Sequence, residues 1–117
     1  MGEIRTTRPI SWIKRALKDF EAFPNHVQSN VLTALTIAAE GGKADIAKPM
    51  HGLGSGVFEI ALGYRGDAFR VIYALRIADE IWVVHAFPKK SKQGIKTPKS
   101  ELDLLKDPLK RLKEALR

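Results

Sequence analysis

The stretch VFEIALGYRGDAFRVIYALRIADEIWVVHAF, residues 57–87, decides the fold. It contains three segments in which apolar, β-branched and aromatic residues recur with the period of a β-strand: Val57–Leu62, Ala68–Ile77 and Glu80–Phe87. Five residues link the first two segments and two residues link the last two. A parallel connection needs a crossover of about a dozen residues or more, so these short links predict an antiparallel three-stranded meander.

The residues before the meander have a helical period. Ile10–Ile13 is a candidate strand that leads into a predicted helix over Lys14–Ala22. Pro24 suits the first turn of a second helix, because a backbone N–H has no partner there, and Gly41-Gly42 ends that helix. The buried stripe predicted for the second helix consists of Val27, Val31, Leu35 and Ala38. One face of the sheet is therefore predicted to pack on a helix pair.

Two further segments complete the predicted fold. Lys48–Gly56 is rich in glycine and proline and predicts a mobile loop before the sheet. Leucines that step by three and four near the C-terminus predict short helices over 101–106 and 108–116, kinked or broken at Pro108. The elements together predict an α+β fold in a single domain, residues 1–117, with a short N-terminal strand, a helix pair packed on a twisted, mainly antiparallel sheet, and a C-terminal helical segment.

The composition excludes several classes of protein. A chain of 117 residues with 44% hydrophobic content is long enough for one modest core. It has no cysteine, and its histidines at 26, 51 and 85 lack metal-ligand spacing, so we expect neither a metal nor another cofactor. No stretch approaches the roughly 18 apolar residues of a membrane span, and the N-terminal residues do not form a signal peptide. These features lead us to expect a cytoplasmic protein with no membrane partner.

Positive charge is concentrated near the C-terminus. Residues 85–117 carry ten cations and four anions, whereas residues 21–84 carry five cations and seven anions. Five of the cations are lysines that follow the last predicted strand with no carboxylate among them: Lys89, Lys90, Lys92, Lys96 and Lys99. Clustered cations bind nucleic acid by releasing counterions from its phosphates, although such a run can also be an ordinary solvated face. A polyanion is the partner that this pattern favours.

Arg70 stands in mid-strand among apolar neighbours. If Phe69, Val71 and Tyr73 face one side of the sheet, Arg70 faces the other side. A guanidinium in such a place needs an anionic partner, because isolated burial of its charge is costly. Glu59 is one candidate partner and would make a structural pair. The alternative is a phosphate held on an open sheet face, for which the guanidinium fork is well shaped.

Several motifs along the chain, taken in order, resemble one family. They are the Lys-Pro-x-x-Gly-Leu-Gly-x-Gly segment at 48–56, Phe58-Glu59-Ile60, Phe69-Arg70-Val71-Ile72-Tyr73, Val84-His85-Ala86-Phe87-Pro88-Lys89-Lys90-Ser91 and Lys96-Thr97-Pro98. This order resembles the phage-derived, HigB-like branch of the RelE/ParE toxin superfamily. The resemblance implies a compact RelE-like toxin of a type II toxin–antitoxin pair, a ribosome-dependent mRNA endoribonuclease neutralised by a helix-turn-helix, HigA-like antitoxin. Its other partners would be mRNA and ribosomal RNA.

The resemblance also implies roles for individual residues. Metal-free RNA cleavage requires removal of the 2′-hydroxyl proton, stabilisation of charge on phosphorus and protonation of the departing 5′-oxygen. Arg70 matches the mid-strand arginine of the family and is assigned to the scissile phosphate. Arg65, in the turn before it, is a second candidate phosphate contact, and Lys48 a candidate RNA contact. Phe87 lies where several relatives have tyrosine, and it leaves a ring on which a base can stack.

The general acid and base remain open among four residues. Imidazole titrates near neutrality, so His51 in the glycine loop or His85 at the end of the last strand could transfer protons. The neighbouring Lys89 and Lys90 repel each other's charge, which favours proton transfer from one of them. A purely structural role is the alternative for both histidines, and His26 is expected to be structural or solvated. Lys92, Lys96 and Lys99 are expected to contact ribosomal RNA or an acidic antitoxin.

Two other functions fit the same sequence. A ParE-like toxin would inhibit DNA gyrase through the N-terminal helix pair, and Arg70, His51 and His85 would be dispensable. A non-catalytic RNA-binding module would use the basic run for affinity and cut nothing. Mapping of mRNA 5′ ends after induced expression separates both from an endoribonuclease.

Overall fold

A mixed sheet with helices on both of its faces forms the architecture. The computed structural model describes residues 8–53, 56–77, 80–90 and 99–115. Within these ranges five strands form one sheet in the order β1-β5-β4-β3-β2. The β1–β5 pair is parallel and the other pairs are antiparallel, so the predicted α+β class is confirmed. The elements are β1 Ile10–Trp12, α1 Lys14–Glu21, α2 Asn25–Ala39, β2 Ala47–Pro49, β3 Val57–Tyr64, β4 Asp67–Ile77, β5 Glu80–Lys90 and α3 Lys99–Ala115.

The predicted meander is present, and its first turn is tighter than expected. β3 and β4 extend to Tyr64 and Asp67, which pair with each other, so only Arg65 and Gly66 remain in the link. Both have positive φ, 51° and 86°, as a type I′ hairpin turn requires. Glycine adopts this conformation without cost, whereas arginine does not. The strained Arg65 is therefore a position at which stability can be gained.

We expect Arg65→Asn to raise the free energy of unfolding by about 0.5–1 kcal/mol, because asparagine tolerates left-handed backbone and a non-glycine residue there costs about 1 kcal/mol or more. Urea unfolding measures the change. Arg65→Ala is the control, since it keeps the strain and removes the guanidinium that lies 5.2 Å from the centroid of the Tyr64 ring. Equal stability of the two variants would show that the backbone at this position is not strained.

Two prolines lie inside strands, contrary to prediction. Lys48 and Pro49 were predicted to begin a loop, but they form edge strand β2, in which Lys48 pairs with Glu59 of β3. His85 was predicted to end the last strand, but β5 continues through Pro88 to Lys90. Proline is tolerated where its missing N–H would face away from the sheet. Pro49 is in an edge strand, and Pro88 lies beyond the Ile81–Val83 segment that β1 pairs with.

Two short helices kinked or broken at Pro108 were predicted, and the structure has one helix, α3, that continues through the proline without a break. Proline inside a helix costs about 3 kcal/mol. Leu105 and Leu109, on either side of it in sequence, are only 2% and 3% exposed. Burial of a leucine side chain contributes about 1.5–3 kcal/mol, so the two leucines together offset the cost of the proline. Tertiary packing thus overrides the local helix-breaking signal.

The two faces of the sheet carry separate hydrophobic clusters, as the alternation predicted. Phe69, Val71 and Tyr73 belong to the cluster that packs on α1 and α2. Ile72 and Ala74 belong to the cluster that includes Leu105 and Leu109 of α3. The predicted stripe of α2 is buried at all four positions, Val27, Val31, Leu35 and Ala38. Among the described residues no helix is long and apolar enough to cross a membrane.

Candidate active site

Arg70 is the one buried charged residue of the described part of the chain. Its side chain, 4% exposed, projects from the middle of β4, and Nη1 lies 3.0 Å from Oε1 of Glu59. The structural pair considered from the sequence is therefore present. Removing one partner of such a buried pair is costly, because the other charge is left uncompensated. Glu59 thus holds the guanidinium in place on the sheet.

The strand register places further functional side chains beside this pair. Glu59 and His85 both pair with Ile72, one from β3 and one from β5. In the next row Arg70 pairs with Phe87. Strands are spaced by about 4.8 Å, so the backbones of Glu59 and His85 are about 10 Å apart across β4. A carboxylate, a guanidinium, an imidazole and an aromatic ring therefore occupy two adjacent rows of three neighbouring strands.

A surface cavity opens over the Arg70–Glu59 pair. Its volume is about 480 Å³, within the range of small-ligand sites, and Lys48 contributes to its wall beside the pair. The part of the floor on β3 and β4 includes the small residues Ala61, Gly63 and Ala68. Few side-chain atoms rise from these positions, so the space above the buried guanidinium stays open. The cavity thus combines a cationic centre with room for an anionic group.

His85 and Phe87 form the other side of the site. Both are partly buried, and their ring centroids are 4.9 Å apart. They also line a second cavity, of about 460 Å³, beside α1. Tyr73 does not accept a proton in this site. Burial raises the pKa of its hydroxyl to about 12, and Tyr73 lies on the opposite face of the sheet, which packs on α1 and α2. His85 is the titratable ring that shares the face of Arg70.

Lys89, Lys90 and Arg65 lie toward one end of the site. Lys89 and Lys90 are the last residues of β5, and Lys89 pairs with Ala68, one row beyond the Arg70–Phe87 pair. Arg65 is exposed in the hairpin turn at the same end of the sheet. Lys99 is the first residue of α3. Lys92 and Lys96 lie outside the described residues.

His51 is not among the residues that line the two cavities. It is exposed in the segment between β2 and β3, which enters β3 at Val57. Val57 is four residues from Ala61, the partner of Arg70, which is about 13 Å along a strand. His26 is exposed on α2 and stacks on Tyr64 with 5.1 Å between ring centroids, in agreement with the expected structural or solvated role.

Glu59 is the functional candidate that sequence reasoning treated only as a structural partner. The signal for it was present, because Phe58, Ile60 and Leu62 alternate onto one face and leave Glu59 on the face of Arg70. What the sequence lacked was the register that sets Glu59 and His85 on either side of Ile72. The described residues contain no group of three or more His, Cys, Asp or Glu that could hold a metal ion.

Comparison with known proteins identifies the family. Residues 18–110 match the model of the family described as phage-derived protein Gp49-like (DUF891). The chain belongs to this family. The match contains Glu59, Arg70 and His85 and confirms the phage-derived branch that the motifs indicated. No curated protein matches the chain in sequence.

Solved structures show the fold of this Gp49-like protein. It is similar to a substituted form of the E. coli toxin RelE in the free state, with a TM-score of 0.61 and 16% identity over 87% of this chain and 96% of that one. It is also similar to the isolated E. coli RelE toxin, with a TM-score of 0.56 and 16% identity over 83% of this chain and 95% of that one. The predicted RelE-like fold is confirmed.

Proposed function

We propose that this Gp49-like protein is the toxin of a toxin–antitoxin pair and an endoribonuclease that cleaves mRNA on the ribosome. The observation that carries the proposal is the buried Arg70 beneath an open cavity, with Glu59 and His85 on neighbouring strands of the same face. A carboxylate can remove the 2′-hydroxyl proton, a guanidinium can stabilise charge on the phosphate, and an imidazole can protonate the leaving oxygen, so these groups can supply the three roles in metal-free cleavage of RNA. The RelE-like fold and the net charge of +7 support the same activity.

In the proposed mechanism the 2′-hydroxyl of the RNA attacks the adjacent phosphorus. Glu59 accepts the proton of that hydroxyl, and Arg70 donates hydrogen bonds to the phosphate oxygens, where negative charge develops. The bond from the 2′-oxygen to phosphorus forms while the bond to the 5′-oxygen breaks. His85 protonates the departing 5′-oxygen. The products are a 2′,3′-cyclic phosphate and a 5′-hydroxyl end.

The approach of the phosphate changes the partner of the guanidinium. In the free protein Glu59 Oε1 lies 3.0 Å from Arg70 Nη1. A phosphate in the cavity offers the fork bidentate acceptors, which are strong partners for arginine. Glu59 then shares Arg70 with the phosphate and takes up the proton on its carboxylate. The Glu59–Arg70 pair thus holds the guanidinium in position before the phosphate binds.

The remaining predicted residues extend the site toward its macromolecular partners. We assign Phe87 to stacking on a base beside the scissile phosphate, and Lys48 and Arg65 to neighbouring phosphates. Lys89 and Lys90 stay alternative proton donors, and Lys92, Lys96 and Lys99 are assigned to ribosomal RNA. The partner that neutralises the toxin is proposed to be a helix-turn-helix antitoxin. His51 was considered for proton transfer from the sequence, and we assign it instead to a loop contact with RNA.

We expect induced expression to produce new mRNA 5′ ends within translated codons. Sequencing of 5′-hydroxyl ends measures them, and a reporter transcript without a start codon is the control, because ribosomes do not translate it. Cleavage of both transcripts would contradict ribosome dependence. Intact transcripts during growth arrest, together with gyrase-dependent DNA breaks, would favour the ParE-like activity and overturn the proposal. Intact transcripts with RNA binding alone would leave a binding module.

A further inference from the structure

A groove follows the part of the β5 edge that lies beyond its pairing with β1. β1 pairs with β5 only over Ile81–Val83, and from His85 onward this edge has no neighbouring strand among the described residues. The cavity of about 460 Å³ lies there, between α1 and the exposed Leu104 of α3. We call it the edge groove. It is lined by residues of α1, the α1–α2 link, β4, β5 and α3, which include Arg15, Asp19, Phe23, Phe69, His85 and Phe87.

The inner wall of the edge groove suits a flat aromatic ligand. Phe87 and His85 on β5 are partly exposed and supply two ring surfaces. Behind them Phe23 and Phe69 are buried, only 5% and 7% exposed, and their rings meet edge to face with centroids 4.9 Å apart. A nucleobase gains affinity by stacking on an exposed aromatic ring. Because His85 also belongs to the proposed cleavage site, a base in this groove would be next to the scissile phosphate.

The rim of the edge groove carries a hydrogen-bonding pair. Arg15 Nε donates to Asp19 Oδ2 at 3.2 Å, and the two side chains are 82% and 36% exposed. Both side chains are therefore exposed enough to meet a ligand in the groove. A carboxylate that accepts two parallel bonds needs two adjacent donors, and guanine alone of the four RNA bases has them, at N1 and N2. Its O6 is an acceptor suited to the arginine.

We infer that the edge groove binds a guanine of the RNA substrate, with Asp19 accepting hydrogen bonds from N1 and N2 of the base and Arg15 donating to O6. The inference rests on the proposed function for the identity of the ligand as substrate RNA. The residues that select the base lie on α1, whereas the residues proposed to cleave the RNA lie on the sheet. Asp19 is therefore a specificity residue, and its loss changes which RNA is chosen.

Short 2′-O-methyl trinucleotides test the inference, because they cannot be cleaved. We expect one with a central guanine to bind at least roughly 10-fold more tightly than its inosine counterpart, which lacks the N2 donor, and to shift the amide resonances of Ala22, Phe23 and Ala86. Asp19→Asn should abolish the guanine preference. Asp107→Asn is the matched control, since Asp107 pairs with Arg111 at the same spacing on α3, outside the groove, and should keep it.

Binding and cleavage together separate the guanine site from the proposed cleavage activity. Equal binding of the guanine and inosine trinucleotides, shifts confined to other surfaces, or no binding up to about 1 mM would overturn the inference. Cleavage of mRNA with the same base preference in wild type and Asp19→Asn would also overturn it and leave the proposed function intact. Guanine-selective binding at the groove without any mRNA cleavage would support the inference and remove the proposed function.

Discussion

Arg70→Ala is expected to lower the cleavage rate on programmed ribosomes by roughly 10³-fold, because it removes the donors that face the developing charge on the phosphate. Arg70 is buried, and Glu59 lies 3.0 Å from its guanidinium. The same substitution should therefore lower the free energy of unfolding by about 3 kcal/mol, since the mostly buried carboxylate of Glu59 loses its ion pair with the guanidinium. Single-turnover kinetics and urea unfolding of the same preparation measure the two effects.

Two further variants separate chemistry from folding. Arg70→Lys keeps a positive charge near Glu59 but lacks the planar fork, so we expect a folded protein whose rate is reduced by roughly 10²-fold. Arg111→Ala removes an arginine from an exposed ion pair with Asp107, outside the sheet face, and should leave the rate unchanged. A folded Arg70→Lys protein with the wild-type rate would contradict the role of the guanidinium at the phosphate.

The sheet and its two faces were predictable from local sequence. Alternation over Phe69–Tyr73 separated the residues that pack on α1 and α2 from Arg70, and short links required antiparallel pairing. The predicted strand and loop bounds were wrong at two prolines, and the helix break considered at a third proline is absent. Pro49 and Pro88 extend strands because the edge position makes a missing N–H harmless. Pro108 lies inside a helix because the burial of Leu105 and Leu109 compensates its cost, which local signals do not contain.

The candidate site was predictable only in part, because the grouping of its residues depends on how the strands pair. Arg70 was recognisable because a charged residue interrupts an apolar strand. The grouping of Glu59 with His85 depends on the register across β4. The two-residue turn at Arg65-Gly66 sets this register on the β3 side, and on the β5 side two shifts, between Ala74 and Ile77 and between Ile72 and Tyr73, offset each other before Ile72 pairs with His85. His51 illustrates the converse, since its position in a glycine-rich segment does not indicate which end of β3 it lies near. The residue types indicated the chemistry of the site, whereas the pairing of the strands determines which of these residues lie together.

Sulfur substitution at the leaving group should separate the proposed base from the proposed acid. With ordinary RNA we expect Glu59→Gln and His85→Ala each to lower the single-turnover rate by roughly 10²-fold or more. A bridging 5′-sulfur leaves as a thiolate without being protonated, because a thiol is a far stronger acid than an alcohol. His85→Ala should therefore regain a rate near wild type on the sulfur substrate. Glu59→Gln should remain slow, since removal of the 2′-hydroxyl proton is still required.

This comparison also tests the two lysines that were considered as proton donors. Lys89 and Lys90 end β5, and Lys89 pairs with Ala68 one row from Arg70. If His85→Ala stays slow on the sulfur substrate while Lys89→Ala or Lys90→Ala is rescued, the lysine is the general acid and His85 has another role. Rescue of Glu59→Gln would contradict its role as the base. Because the substrate changes only one atom, a variant that is slow through misfolding is slow on both substrates, and the ratio of the two rates reports the proton transfer alone.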